Sequence, residues 1–269
     1  MVLRGAGEDE SAGRTETQER DVFFDSGTDT VGGFLITAAN ESAGASPGAI
    51  LMLTDVFGVE EENNRAWMRA LCVSTGLPVF APDIFRGEPF CEERYGSTSS
   101  EAFETWRSKH PPARVFGDIS AAACWLRRSD LGGIAAPAAS RERALAMVGF
   151  CYGGGRLLES LAGNAALGGA VAAAVAFYPT RIDAPALVAA LPRGSPILAF
   201  FGSQDPIASP AVAAALDGPV TCRVFDKCGH GFAHRGKLAE GGDGDAAREA
   251  LDVTASVIRA ACYGCDATL

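Results

Sequence analysis

The sequence predicts an α/β domain with a mostly parallel central sheet of about eight strands and helices on both faces. Three observations predict it. Short, nearly unbroken apolar runs recur along the chain, as strands buried on both faces require. Segments with helical period lie between them. Aspartates and a cysteine fall directly after several of the runs, where an open parallel sheet places its active site.

The elements follow in order. Val22-Phe23-Phe24 and Gly33 to Thr37 read as an opening antiparallel pair. Ala49 to Leu53, Pro78 to Ala81, Ala144 to Phe150, Ala174 to Tyr178, Ile197 to Phe201 and Cys222 to Phe225 read as strands. Val115, Ile119, Ala122 and Leu126 share one helical face, as do Ala247, Leu251, Thr254 and Ile258. Asp55, Asp83, Cys151 and Asp205 then stand at carboxyl ends of strands. A chain of 269 residues fits one large domain, expected over residues 21–262. Residues 1–20, polar and acidic, read as a disordered tail, and 263–269 as a C-terminal tail.

Composition excludes more than it assigns. A net charge of −10 disfavours nucleic acid and anionic membrane surfaces. No apolar run approaches the roughly eighteen residues of a membrane helix. The N-terminus has no secretory pattern, and eight cysteines without one point to a reducing, cytoplasmic setting. Cys72 and Cys124 fall in apolar helical patterns and are expected in the core. Cys262-Tyr263-Gly264-Cys265 has C-x-x-C spacing, but no second pair completes a zinc site. His230 and His234 form H-x-x-x-H, which on a helix suits zinc; Gly229 and Gly231 argue for a loop instead. No metal or other cofactor is expected.

Gly149-Phe150-Cys151-Tyr152-Gly153 carries the chemistry. It follows an apolar strand and precedes a helical segment, giving strand, sharp turn, helix. The form G-x-C-x-G is the nucleophile elbow of the α/β-hydrolases with cysteine in place of serine. Side chains two residues either side of such a nucleophile would collide, hence the glycines. The following helix points its positive end at the sulfur and favours thiolate. Acyl transfer also needs a base and an acid that orients it, in chain order nucleophile, acid, histidine. Asp205 follows the strand Ile197 to Phe201, and His230 follows Cys222 to Phe225. Cys151, Asp205 and His230 are therefore the expected catalytic triad. A buried structural cysteine, a turn aspartate before Pro206 and a loop histidine are the alternatives for each residue taken singly.

Four separated blocks resemble the dienelactone hydrolases, also called carboxymethylenebutenolidases: Thr54 to Val59, Pro82 to Gly87, Gly149 to Gly154 and Gly229 to Arg235. The resemblance implies an α/β-hydrolase fold and a cysteine-dependent hydrolase of small esters or lactones working through a thioester. It implies backbone donors for the oxyanion at Val56 and Tyr152, with Phe57 and Tyr152 beside the substrate. Asp55 takes the place of a glutamate that contacts the resting cysteine and gates its ionisation. Here the side chain is one methylene shorter. Arg86 and Arg235 are the nearest counterparts of arginines that hold a substrate carboxylate, each displaced by one position, with His234 in the aligned place in the second case. Arg65 is either a third contact or an ordinary exposed residue. The expected partner is a small ester or lactone, able to be anionic, bound by a monomer or homodimer. Two other classes remain: a binding module that has lost turnover, and a thiol redox protein using Cys151 or the Cys262/Cys265 pair.

Overall fold

The computed structural model describes residues 16–39, 46–95, 101–131, 142–235 and 243–264. The chain opens with a hairpin of β1 (Thr17–Ser26) and β2 (Asp29–Ala38), followed by β3 (Gly48–Leu53), α1 (Glu62–Thr75) and β4 (Val79–Pro82). Helices α2 (Glu92–Tyr95), α3 (Glu101–Ser108) and α4 (Pro112–Arg128) lead to β5 (Ala144–Phe150). Then come α5 (Tyr152–Gly163), α6 (Ala165–Ala170), β6 (Val171–Phe177), α7 (Ala184–Ala190) and β7 (Ile197–Gly202). The chain continues with α8 (Pro210–Leu216), β8 (Thr221–Phe225), α9 (Phe232–Arg235) and α10 (Asp243–Tyr263).

The eight strands form one sheet in the order β1-β2-β4-β3-β5-β6-β7-β8. The pairs β1–β2 and β2–β4 are antiparallel, and every other pair is parallel. Every residue of β3, β4 and β7 is buried, because helices cover both faces. Helices α1 and α10 pack on one face; α4 and α5 pack on the other. Val115, Ile119, Ala122 and Leu126 of α4 are all buried, as are Ala247, Leu251, Thr254 and Ile258 of α10. Helical period thus marked the covered faces correctly.

Three expectations are corrected. Strand β1 begins at Thr17, where it pairs with Ala38, so residues 17–20 belong to the domain rather than to a tail. Residues 1–15 of that expected tail lie outside the described residues. Helix α10 runs to Tyr263, whose hydroxyl donates to the Thr75 carbonyl, while residues 265–269, including Cys265, lie outside the described residues. Cys72 is in the core, but Cys124 is exposed, since it sits two positions round α4 from the buried face and meets Arg128.

Candidate active site

The parallel strands deliver four loops to one edge of the sheet. Strand β5 ends at Phe150, and Cys151 turns the chain with φ 51° and ψ −112°. A non-glycine residue rarely adopts that conformation, so its surroundings must hold it. The Cys151 N–H donates to the Phe177 carbonyl at 2.9 Å, and its own carbonyl accepts from Thr180 N at 3.1 Å. Crowding explains the flanking glycines. A Cβ on Gly149 would lie 2.7 Å from the Gly153 carbonyl oxygen, and one on Gly153 would run into the carbonyls of Leu53 and Thr54. Helix α5 starts immediately after the sulfur-bearing residue, with its first N–H groups unpaired within the helix.

Strand β7 leads through Ser203 and Gln204 to Asp205. Its Oδ1 accepts from Ile207 N at 2.7 Å and Ala208 N at 2.9 Å, which fixes the carboxylate with Oδ2 toward His230. The β7 and β8 loops are stitched together by Ser203 N to the Phe225 carbonyl and Gln204 N to the Cys228 carbonyl, both 2.9 Å. His230 Nδ1 lies 2.8 Å from Asp205 Oδ2, and Nε2 lies 3.2 Å from Cys151 Sγ. A carboxylate only accepts, so Nδ1 carries a proton and Nε2 faces the sulfur. Thr180 Oγ1 also approaches Sγ, at 3.8 Å. The Tyr178 ring meets the His230 ring edge-on at 5.0 Å.

Charge follows this geometry. Burial works to lower the His230 pKa, but the hydrogen bond to Asp205 and the hydrogen bond and charge of Cys151 outweigh it and hold it at about 9. Burial works to raise the Asp205 carboxyl, and hydrogen bonds from His230, Ala208 and Ile207 outweigh that, keeping it below its ordinary value. Both shifts favour a charged imidazole beside the Asp205 carboxylate.

The loop after β3 forms the opposite wall. Asp55 Oδ1 accepts from Phe57 N at 3.0 Å and from Asn64 Nδ2 at 3.1 Å. Phe90 N donates to the Val56 carbonyl at 2.8 Å and orients that peptide. A cleft of about 610 Å³ opens beside Asp55, Phe57 and His234, and Glu60, Glu61 and Glu92 also line it. Among the described residues, no group of three or more His, Cys, Asp or Glu side chains could hold a metal ion.

Several expected site residues do other work. Arg86 is not poised to bind a substrate carboxylate: Nε and Nη2 donate to Asp118 at 3.1 and 2.7 Å, and Nη1 to Asp29 at 2.5 Å. Asp118 is 1% exposed and requires that cation, together with Arg114 and the Ser26 hydroxyl. Asp55 does not reach the thiol. Its shorter side chain is drawn to Phe57 N, Asn64 and His234, while the sulfur meets His230 and Thr180. The Tyr152 ring is buried between Phe85, Trp106 and Arg156, leaving its backbone as the part that can face a substrate. Arg65 holds the Val59 carbonyl and Glu60 and covers the Phe34 ring. Arg235 ends α9, and its side chain lies outside the described residues. His234 stands on that short helix rather than on a loop.

Sequence reasoning missed Asn64 and Thr180. Thr180 had a usable signal, since it follows the carboxyl end of β6 as Asp205 follows β7. Asn64 had none, because it sits within α1 and acts through the fold.

The dienelactone hydrolase family model matches residues 33–261, a span that includes the elbow, Asp205 and His230. The chain belongs to the dienelactone hydrolase family. It is a carboxylic ester hydrolase of α/β-hydrolase fold. Among solved structures, a candidate dienelactone hydrolase from Klebsiella pneumoniae subsp. pneumoniae superposes with a TM-score of 0.69 at 20% identity, covering 87% of this chain and 95% of that one. The dienelactone hydrolase-like promiscuous phosphotriesterase P91 from metagenomic libraries gives 0.61 at 16% identity, covering 90% and 98%. An esterase of Pyrobaculum calidifontis gives 0.62 at 14% identity, covering 90% and 85%. These identities speak to the fold alone. No curated protein matches the sequence.

Proposed function

We propose that this dienelactone hydrolase family member hydrolyses small esters or lactones through Cys151, with His230 as acid and base and Asp205 as the residue that orients and charges it. The unbroken line from Asp205 through His230 to Cys151 carries the reading. The Cys151 thiolate, paired with the His230 imidazolium, attacks the ester carbonyl and forms a C–S bond. The C–O bond breaks as His230 gives its proton to the departing alkoxide. Water then attacks the thioester while His230 takes its proton; the acid product leaves and the thiolate returns. The oxyanion of each tetrahedral intermediate sits between the Val56 and Tyr152 N–H groups, and losing one such donor costs about 10² to 10³ in rate.

The cleft adjoins the oxyanion loop at Asp55 and Phe57, while Cys151, Asp205 and His230 are not in its lining. Three glutamates and Asp55 line it, and Arg86 is committed to Asp118. With Arg86 committed, and with acidic groups rather than cations beside the oxyanion loop, we read the substrate as an ester or lactone that carries no carboxylate. A redox role for the other thiols finds less support. Burial pushes Cys262 to about 11, and burial with the Asp217 charge does the same for Cys222, so little thiolate forms at either.

The test is the initial rate on dienelactone and on a neutral aryl ester, for wild type and Cys151→Ala. The expected result is wild-type turnover, faster on the neutral ester, and a variant without activity on either. Preference for dienelactone would overturn the charge argument but keep the nucleophile. Equal rates for wild type and variant would overturn the nucleophile. No turnover and no thiol-dependent acylation would favour a binding module.

A further inference from the structure

We infer that Asn64 is a positioning residue for the oxyanion loop, tying it to the segment that carries the catalytic histidine. The inference rests on the hydrolase reading above. Asn64 is fully buried on α1, a helix that contributes no catalytic group. Its Nδ2 donates to the Gly58 carbonyl at 2.8 Å and to Asp55 Oδ1 at 3.1 Å. Both partners only accept, which fixes the amide orientation. The Asn64 Oδ1 is then the acceptor facing His234 Nε2 at 2.7 Å, so Nε2 carries the proton.

Two separate segments, the loop at Asp55 and Gly58 and the short helix carrying His234, meet on one amide. Asp55 and Gly58 bracket Val56, the loop residue assigned as oxyanion donor. His234 lies four residues beyond His230, and its ring stacks on Phe150 of β5 at 4.8 Å and 8°. That stacking fixes His234 against the strand that carries Cys151. Trp67, also on α1, donates to the Ala233 carbonyl at 2.6 Å and holds the same short helix. The loop and the nucleophile are thus referenced to one another through Asn64. Asp55, shortened by a methylene, is the piece that lets the carboxylate join this network while still accepting from Phe57 N at 3.0 Å.

Two reactions of Cys151 separate positioning from mere support. Alkylation by iodoacetamide needs the thiolate but no oxyanion site; acylation by an aryl ester needs both. Asn64→Leu keeps the side-chain shape and removes all three hydrogen bonds. His234→Phe keeps the stacked ring and removes the Nε2–H donor to Asn64 together with Nδ1, which lies 3.7 Å from Asp55 Oδ2, while leaving both Asn64 Nδ2 hydrogen bonds in place, so it provides a milder variant should Asn64→Leu fail to fold. The expected result is a drop in acylation rate of about 10 to 10² for Asn64→Leu, and a smaller drop for His234→Phe. Alkylation rate and its pH profile should stay within about twofold of wild type in both. Equal losses in acylation and alkylation, or none in either variant, would overturn the positioning role. A wild type that shows neither turnover nor acylation of Cys151 would overturn the hydrolase reading; a normal wild-type acylation rate that both variants retain would overturn only Asn64.

Discussion

Replacing Asp205 with asparagine tests the electrostatic core of the mechanism. Two backbone donors, Ile207 N and Ala208 N, meet Oδ1 at 2.7 and 2.9 Å. In the variant they must meet the amide oxygen, so the NH₂ group is forced toward His230. An NH₂ donates, and Nδ1 must then accept, which moves the ring proton to Nε2. That tautomer cannot receive a proton on the side facing sulfur. The imidazolium also loses its carboxylate. Raising the His230 pKa from 6.5 to about 9 corresponds to roughly 3 kcal/mol favouring the charged ring, shared between Asp205 and Cys151. We expect kcat/KM on a neutral aryl ester to fall on the order of 10² to 10⁴. The pH profile gives the sharper readout. Loss of the imidazolium removes the acid that protonates the leaving alkoxide, so wild-type activity should decline as pH rises through about 9. In Asp205→Asn that limb should move toward the ordinary histidine range. Stability has the same sign: the raised pKa contributes fully below 6.5 and its contribution is lost as pH passes about 9. A variant within threefold of wild type, with an unmoved alkaline limb, would refute the reasoning.

Cys151→Ser should lose most activity, because the hydroxyl's much higher pKa leaves more of the deprotonation to His230 in a site built around sulfur; near wild-type kcat in steady-state assays would count against the thiolate. Gly153→Ala should destabilise by about 3 kcal/mol in urea unfolding, since the new methyl meets two backbone carbonyls that cannot swing aside; an unchanged midpoint would show that the elbow can relax. Arg86→Met should cost about 2 kcal/mol, because Asp118 keeps Arg114 and Ser26 as partners. Its kcat/KM should stay within about threefold on neutral and carboxylate-bearing esters alike. A selective loss on the carboxylate-bearing ester would restore Arg86 as a substrate contact.

The strands were legible because their patterns are local. A strand covered on both faces must be apolar along its length, and β5 and β7 announced themselves that way. The elbow was legible because its glycines answer a clash between near neighbours in sequence, Gly149 against Gly153. Arg86 was not, because its partner Asp118 lies 32 positions away and nothing in the loop reveals a buried carboxylate waiting on α4. Asn64 was hidden for the same reason, with His234 170 positions distant. The boundary of β1 was misread because Thr17 to Asp21 are all polar and none is buried, as an edge strand permits. Position after a strand identified candidate groups, but only the folded chain could say which charges were already occupied.

Asp55 shows how one missing methylene redistributes work in such a site. A carboxylate in contact with a resting thiol would discourage its ionisation, and removing that contact on substrate binding would act as a gate. Here the carboxylate is held by Phe57 N and Asn64, with His234 Nδ1 at 3.7 Å, and the sulfur already faces His230. His230 and the start of α5, rather than a moving acid, are the groups placed to stabilise a thiolate as it forms. A cysteine activated by fixed partners is open to oxidants and alkylating agents as well as to esters. The half-buried placement of Cys151, with His230 and Thr180 against its sulfur, limits that exposure.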